Sequence, residues 1–158
     1  MSTLKSGDFV NNLLDFFRET FEGTNGQGSH YIDGRGHGSF LETLDRVGHV
    51  EASKPLQEGG VTIAAHTAHT LYYLQTLETF MSGGEVKTDW AGSWRIRTVN
   101  EAEWTQLKSQ LRKQYEDIQQ LFKSDIDWND DHISDAFSLL MHSAYHLGAV
   151  RLIAVTLN

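Results

Sequence analysis

Two stretches of this chain are long, nearly free of charge and interrupted by paired histidines, and few folds accommodate that combination. Residues Phe137 to Leu157 read FSLLMHSAYHLGAVRLIAVTL, with Arg151 as the one formal charge and with His142 and His146 four residues apart. On a helix that spacing stacks both imidazoles on one face. Residues Val61 to Ser82 read VTIAAHTAHTLYYLQTLETFMS, with Glu78 as the one charged residue and with His66 and His69 three apart. Three steps of about 100° leave that second pair roughly 60° apart on a helical wheel. Burying one imidazole without a partner costs about 1–3 kcal/mol. The expectation is therefore that the two helices face each other and hold a metal ion between their histidines.

Both stretches are long enough to span a bilayer. Their histidine pairs, their Thr, Ser and Gln residues and the lack of flanking Lys/Arg clusters argue for buried helices instead. The opening MSTLKSGDF carries no apolar run of the kind a secretion signal needs, so a cytoplasmic protein is expected. At 158 residues the chain suits a single domain over 1–158 with a substantial core. It has no Cys, so any metal must be held by His, carboxylate or carbonyl. A formal net charge of −8 repels phosphate backbones and disfavours nucleic-acid binding.

Taken in order, Phe9, Val10, Leu13, Leu14, Phe17 and Phe21 form an apolar stripe from about Gly7 to Glu22, ending at a Gly23 C-cap. The segment Gly23 to Ser39 is glycine-rich and includes Gly34-Arg35-Gly36-His37-Gly38. It lacks the GK[ST] ending of a phosphate loop and the strand that a dinucleotide fold places before its glycines, so it is read as a connector. Phe40 to Val47 is a short extra helix, and Pro55 and Gly59-Gly60 break the chain before the second long helix. Asn100 with Glu103 predicts a reciprocal N-cap for a third long helix reaching about Phe122. Asn129 to Asp131 cap the last. No segment alternates with a period of two. The fold class is all-α, an up-and-down four-helix bundle with a short extra helix after the glycine-rich loop. The last helix is apolar nearly all round, which places it centrally or at a subunit interface, and a homodimer is expected.

Of the eight histidines, His30, His37, His49 and His132 fall in loop or capping segments and read as solvated. His142 and His146 can be two core histidines, each bonded to a Ser, a Thr or a carbonyl. A second pair in the other low-charge helix favours a shared cation, with one residue of that pair sufficient as a ligand. Three imidazoles with an open position are the arrangement of a catalytic zinc. A di-iron site needs Glu-x-x-His twice and the zincin site needs HExxH, and neither occurs.

The segments Thr62-Ile63-Ala64-Ala65-His66-Thr67-Ala68-His69 and His142-Ser143-Ala144-Tyr145-His146-Leu147-Gly148 resemble the DinB/YfiT-like family of metal-binding four-helix bundles, the second matching its HxxYHxG signature. The resemblance covers most of the chain. It implies a divalent metal, zinc or nickel, held by one histidine of the second long helix and two of the last. His142 and His146 match the C-terminal pair, and His69 suits the helix-two position better than His66. His66 then orients a ligand or accepts a proton beside the metal. Such proteins are often dimeric, and those with assigned activity are mostly thiol-dependent transferases.

The expected function is accordingly a metal-dependent thiol S-transferase that joins a low-molecular-weight thiol to an electrophilic small molecule through a metal-bound thiolate. The alternatives are a hydrolase using metal-bound hydroxide, and a metal-binding or stress-response module without turnover. Tyr145 is the candidate hydrogen-bond donor in the site, with Tyr72 and Tyr73 near it in sequence. Trp90 and Trp94 in the connector are expected to pack on the helices, with covering the site as the alternative.

Overall fold

The computed structural model describes residues 6–24, 26, 28–32 and 38–157. Residues 34–37 of the glycine-rich motif, His37 among them, lie outside that set. All regular structure among the described residues is helical: α1 (Ser6–Glu22), α2 (Phe40–Arg46), α3 (His49–Ala52), α4 (Ile63–Met81), α5 (Glu101–Lys123) and α6 (Asp130–Leu157), with a 3-10 turn at Gly92–Trp94. None of these helices is long and apolar enough to cross a membrane.

The helix starts follow from their caps. Thr62 Oγ1 accepts from the Ala65 N–H at 3.1 Å to open α4. Asn100 and Glu103 bond reciprocally at 2.9 and 2.8 Å to open α5, as the spacing predicts. The short helix α3, which the sequence pattern does not reveal, follows α2 at once. It ends at Ser53, whose hydroxyl accepts from the Val99 N–H at 3.0 Å.

Helix α4 packs against α5 and α6, and α1 packs against the same two helices. A plain up-and-down order puts successive helices side by side; here α1 and α4 stand diagonal, as do α5 and α6. The connection from α1 to α4 carries α2 and α3 and is long enough to cross. The six residues 124–129 between α5 and α6 reach about 20 Å when extended, enough for the second crossing. One apolar core joins all four long helices with α2, and its aromatic centre is Phe17, Phe21, Phe40, Tyr115 and Phe122. Phe21 stacks on Phe40 at 5.5 Å and on Tyr115 at 4.8 Å between ring centroids.

Glu19 ties the loop after α1 to this core. Its buried carboxylate accepts from the Ser29 hydroxyl at 2.7 Å and from the backbone N–H groups of His30, Tyr31 and Ile32 at 2.8, 3.0 and 2.8 Å. Burial alone pushes its pKa up, but the four donors together hold it down at about 2, below the ordinary 4.5. The resulting stabilisation is complete above about pH 4.5 and is lost as the pH falls towards 2. Glu19→Gln removes acceptor capacity from these buried donors. It should cost about 1–3 kcal/mol, read as a lower urea midpoint at pH 7, and the deficit should shrink as both proteins are acidified towards pH 3.

Candidate metal centre

Helices α4 and α6 meet with their histidines inward. His69 and His146 are buried and His142 is half-buried, and one ligand nitrogen of each lies within 4.8 Å of the others. The three residues are thus close enough to bind a metal ion. His142 Nε2 is 3.1 Å from His69 Nε2 and 3.2 Å from His146 Nε2. With zinc–nitrogen bonds of 2.0–2.1 Å, two ligand atoms stand about 2.9 Å apart at adjacent octahedral corners and about 3.4 Å apart on a tetrahedron. Both separations fall inside that interval.

The hydrogen positions follow from the partners. Ser93 Oγ donates to the Trp90 carbonyl at 2.7 Å, so it must accept from His69 Nδ1 at 2.6 Å. The hydrogen of His69 therefore sits on Nδ1, and its Nε2 lone pair faces the cluster. Without a cation, one N–H on His142 Nε2 has to serve both neighbouring nitrogens, because any other arrangement sets lone pair against lone pair. A divalent cation takes all three lone pairs at once, so the donor set fits such an ion.

Each of the three rings is held from behind. His69 has Ser93, and Trp94 stacks on its face at 3.9 Å and 17°. His142 lies flat on Tyr73 at 3.6 Å and 9°. His146 Nδ1 is 2.9 Å from His66 Nδ1, a partner that fixes the ring as a carbonyl would elsewhere. Burial, followed by repulsion among neighbouring rings in their charged forms, pushes the pKa of His66 and His142 down to about 4 and that of His146 to about 3. Burial lowers His69 as well. At neutral pH all four rings are uncharged.

The connector between α4 and α5 is strapped across α4 and carries the groups behind His69. At one end the Tyr72 hydroxyl accepts from the Asp89 N–H at 2.6 Å. At the other, the Thr62 hydroxyl donates to the Arg97 carbonyl at 2.7 Å. His66 and His69 lie between these anchors, under Trp94. Asp89 Oδ1 accepts from the Gly92 N–H at 2.8 Å, and a Cβ at position 92 would lie 2.1 Å from the other carboxylate oxygen, so a larger residue there would displace the Asp89 carboxylate.

The structure thus brings together His69, His142 and His146, with His66 one bond behind. Tyr145 is 74% exposed, with its ring edge-on to His146 at 5.1 Å. Trp94, expected mainly as packing, covers the cluster. Ser93 carries no signal in the sequence, since a serine in a connector says nothing about a ring across a turn. His30 is exposed as expected, but His49 and His132 are half-buried, and His132 donates from Nδ1 to the Asp127 carbonyl beside the start of α6. Comparison with protein-family models, with curated proteins and with solved structures finds no match.

Two measurements check this geometry. His69→Ala should abolish tight metal binding, whereas Ser93→Ala and His66→Ala should each weaken it about 10–100-fold, read by competition with a chromophoric chelator. The metal-free protein should also lose stability on acidification. The unfolded chain protonates these imidazoles near the ordinary 6.5, while the folded chain does so only near 4 and below, so acid favours unfolding. The urea midpoint should fall between pH 6.5 and 4, and His146→Ala should flatten that slope.

Proposed function

We propose that His69, His142 and His146 hold a divalent cation, zinc or nickel, and that the chain is a metal-dependent thiol S-transferase acting on an electrophilic small molecule. The proposal includes a DinB/YfiT-like four-helix arrangement for α1, α4, α5 and α6. The observation that carries it is the convergence of three uncharged Nε2 atoms at 3.1 and 3.2 Å, each ring braced by a separate partner.

A bound divalent ion would supply Lewis acidity, lowering the pKa of a thiol or water that joins it. The same three residues would serve either. Three neutral imidazoles leave the ion's double charge intact, and among the described residues no carboxylate hydrogen-bonds to any of the four rings. Such a centre would favour an anionic fourth partner, a thiolate or a hydroxide alike, each formed when the bound thiol or water releases its proton to solvent. Asp135 stands two turns before His142 on the same face of α6, where burial raises its pKa, and its charge acts on Tyr73. His66 spends the nitrogen that faces the cluster on His146, which supports its orienting role. Trp94 and Tyr73 cover two of the rings and keep water from their faces.

Protein purified without chelator or affinity-tag metal should carry about one equivalent of zinc or nickel, and His142→Ala none, at unchanged helical circular dichroism. In cobalt-substituted protein a low-molecular-weight thiol should shift the visible absorption and then be consumed when an electrophile is added. Stoichiometric metal with no spectral response to any thiol of a panel would overturn thiol transfer while leaving the metal centre standing.

A further inference from the structure

The three converging rings differ in what their second nitrogens meet. His69 Nδ1 donates to Ser93 Oγ at 2.6 Å, which fixes its hydrogen on Nδ1. His142 has no such tie. Its Nδ1 is buried and finds no hydrogen-bond partner among the described residues. Its Nε2 stands 3.1 and 3.2 Å from the Nε2 atoms of His69 and His146. In the metal-free cluster that nitrogen carries the one hydrogen that both neighbours accept. His146 then keeps its own hydrogen on Nδ1, where it donates to His66 Nδ1 at 2.9 Å. His69 and His146 thus already present lone pairs at Nε2, as metal ligands must, and His142 does not.

A nitrogen that carries a hydrogen has no lone pair for an ion. His142 therefore has to change tautomer when the centre fills. Nε2 releases one proton to solvent, Nδ1 takes one from solvent, and the ring is neutral before and after. An acceptor beside Nδ1 would hold the hydrogen there and leave lone pairs opposed in the metal-free cluster. A donor beside Nδ1 would hold the hydrogen on Nε2 and exclude the ion. A buried nitrogen with neither is uncommon, and here its freedom serves both states.

We infer that His142 is the adjustable ligand of the centre and that Tyr73 is its positioning residue. The Tyr73 ring lies flat on the imidazole at 3.6 Å and 9°. A stacking contact fixes the plane of a ring whichever nitrogen carries the hydrogen, which no hydrogen bond at Nδ1 can do. Tyr73 is backed in turn by Trp90, at 5.6 Å between ring centroids. The division of labour is then clear. Ser93 and His66 hold two ligands in the state that binds, and Tyr73 holds the third in place while its state changes. The inference rests on the metal centre proposed above and is independent of thiol transfer, because nothing in it concerns the fourth partner of the ion.

The test is long-range proton–nitrogen correlation spectroscopy on the nitrogen-15-labelled full chain, which separates the two neutral tautomers of each ring. Spectra are taken at about pH 7, without metal and with about one equivalent of zinc. His142→Ala identifies the signals of that ring by their loss. Without metal, His69 and His146 should carry their hydrogens on Nδ1 and His142 on Nε2. On zinc binding the hydrogen of His142 alone should move to Nδ1. Zinc bound with no change at His142, or a metal-free His142 already carrying its hydrogen on Nδ1, overturns the switch and leaves the metal centre standing. A native protein that takes up no zinc overturns both. Competition with a chromophoric chelator then tests Tyr73. Tyr73→Leu should weaken zinc binding about 10–100-fold, whereas Tyr73→Phe, which keeps the ring face, should stay within about threefold of the native protein, both at unchanged helical circular dichroism. Equal losses in the two variants, or none in either, overturn the role of Tyr73.

Discussion

The removal of four imidazoles from water between α4 and α6 is the constraint on which the rest of the structure depends. Rings this buried stay neutral, and neutral rings have lone pairs to place. A chain that puts Nε2 atoms 3.1 Å apart has given up solvent for all of them and must supply an alternative. Around the cluster the alternatives are a serine hydroxyl for His69 and a histidine nitrogen for His146, whereas His142 lies on the face of Tyr73 and its buried Nδ1 has no hydrogen-bond partner among the described residues. Level with the rings both helices are free of charge, since a lysine or a carboxylate there would be buried beside them; the carboxylate nearest along α6, Asp135, lies two turns before His142. The low charge that marks them in the sequence is thus a consequence of the site as much as of the core.

This explains which parts were legible beforehand. The pair His142 and His146 could be read because four-residue spacing fixes a common face whatever the tertiary structure does. The choice between His66 and His69 could not be read from spacing, since both occupy the inward half of α4. In the structure the two differ in what each ring meets: His69 backs onto Ser93, and His66 backs onto His146. Those contacts belong to the connector and to α6, far away in sequence. Trp94 shows the same limit. Its position in a glycine-containing connector suggested packing, but the connector is anchored at Thr62 and Tyr72 and lays the indole over His69.

The order of the helices was the least legible feature. Caps and stripes predict where helices begin, and Asn100, Glu103 and Thr62 behave as their sequence context suggests. Nothing local records which long helices become neighbours. The diagonal placement of α1 and α4 follows from the fit of α4 against both α5 and α6, which buries it on nearly every side, and from a connection long enough to allow it. A helix like α4, with threonines and alanines all round and no amphipathic stripe, can only be placed in the middle. The diagonal then follows for α1.

Helix α6 is also nearly uncharged but is not central, and the difference lies in its side-chain sizes. Its inner face carries His142, Ser143 and His146 among Leu139, Leu147 and Val150. Its outer face carries Phe137, Met141, Tyr145 and Leu152 where water would normally find lysine or glutamate. Tyr145 and His146 are consecutive, so about 100° of helix rotation separates the exposed outer face from the buried ring that meets His66. Rotating α6 to bury that outer face would turn His146 away from His66 and His142 away from His69, so the histidine contacts between α4 and α6 leave the outer side chains in water.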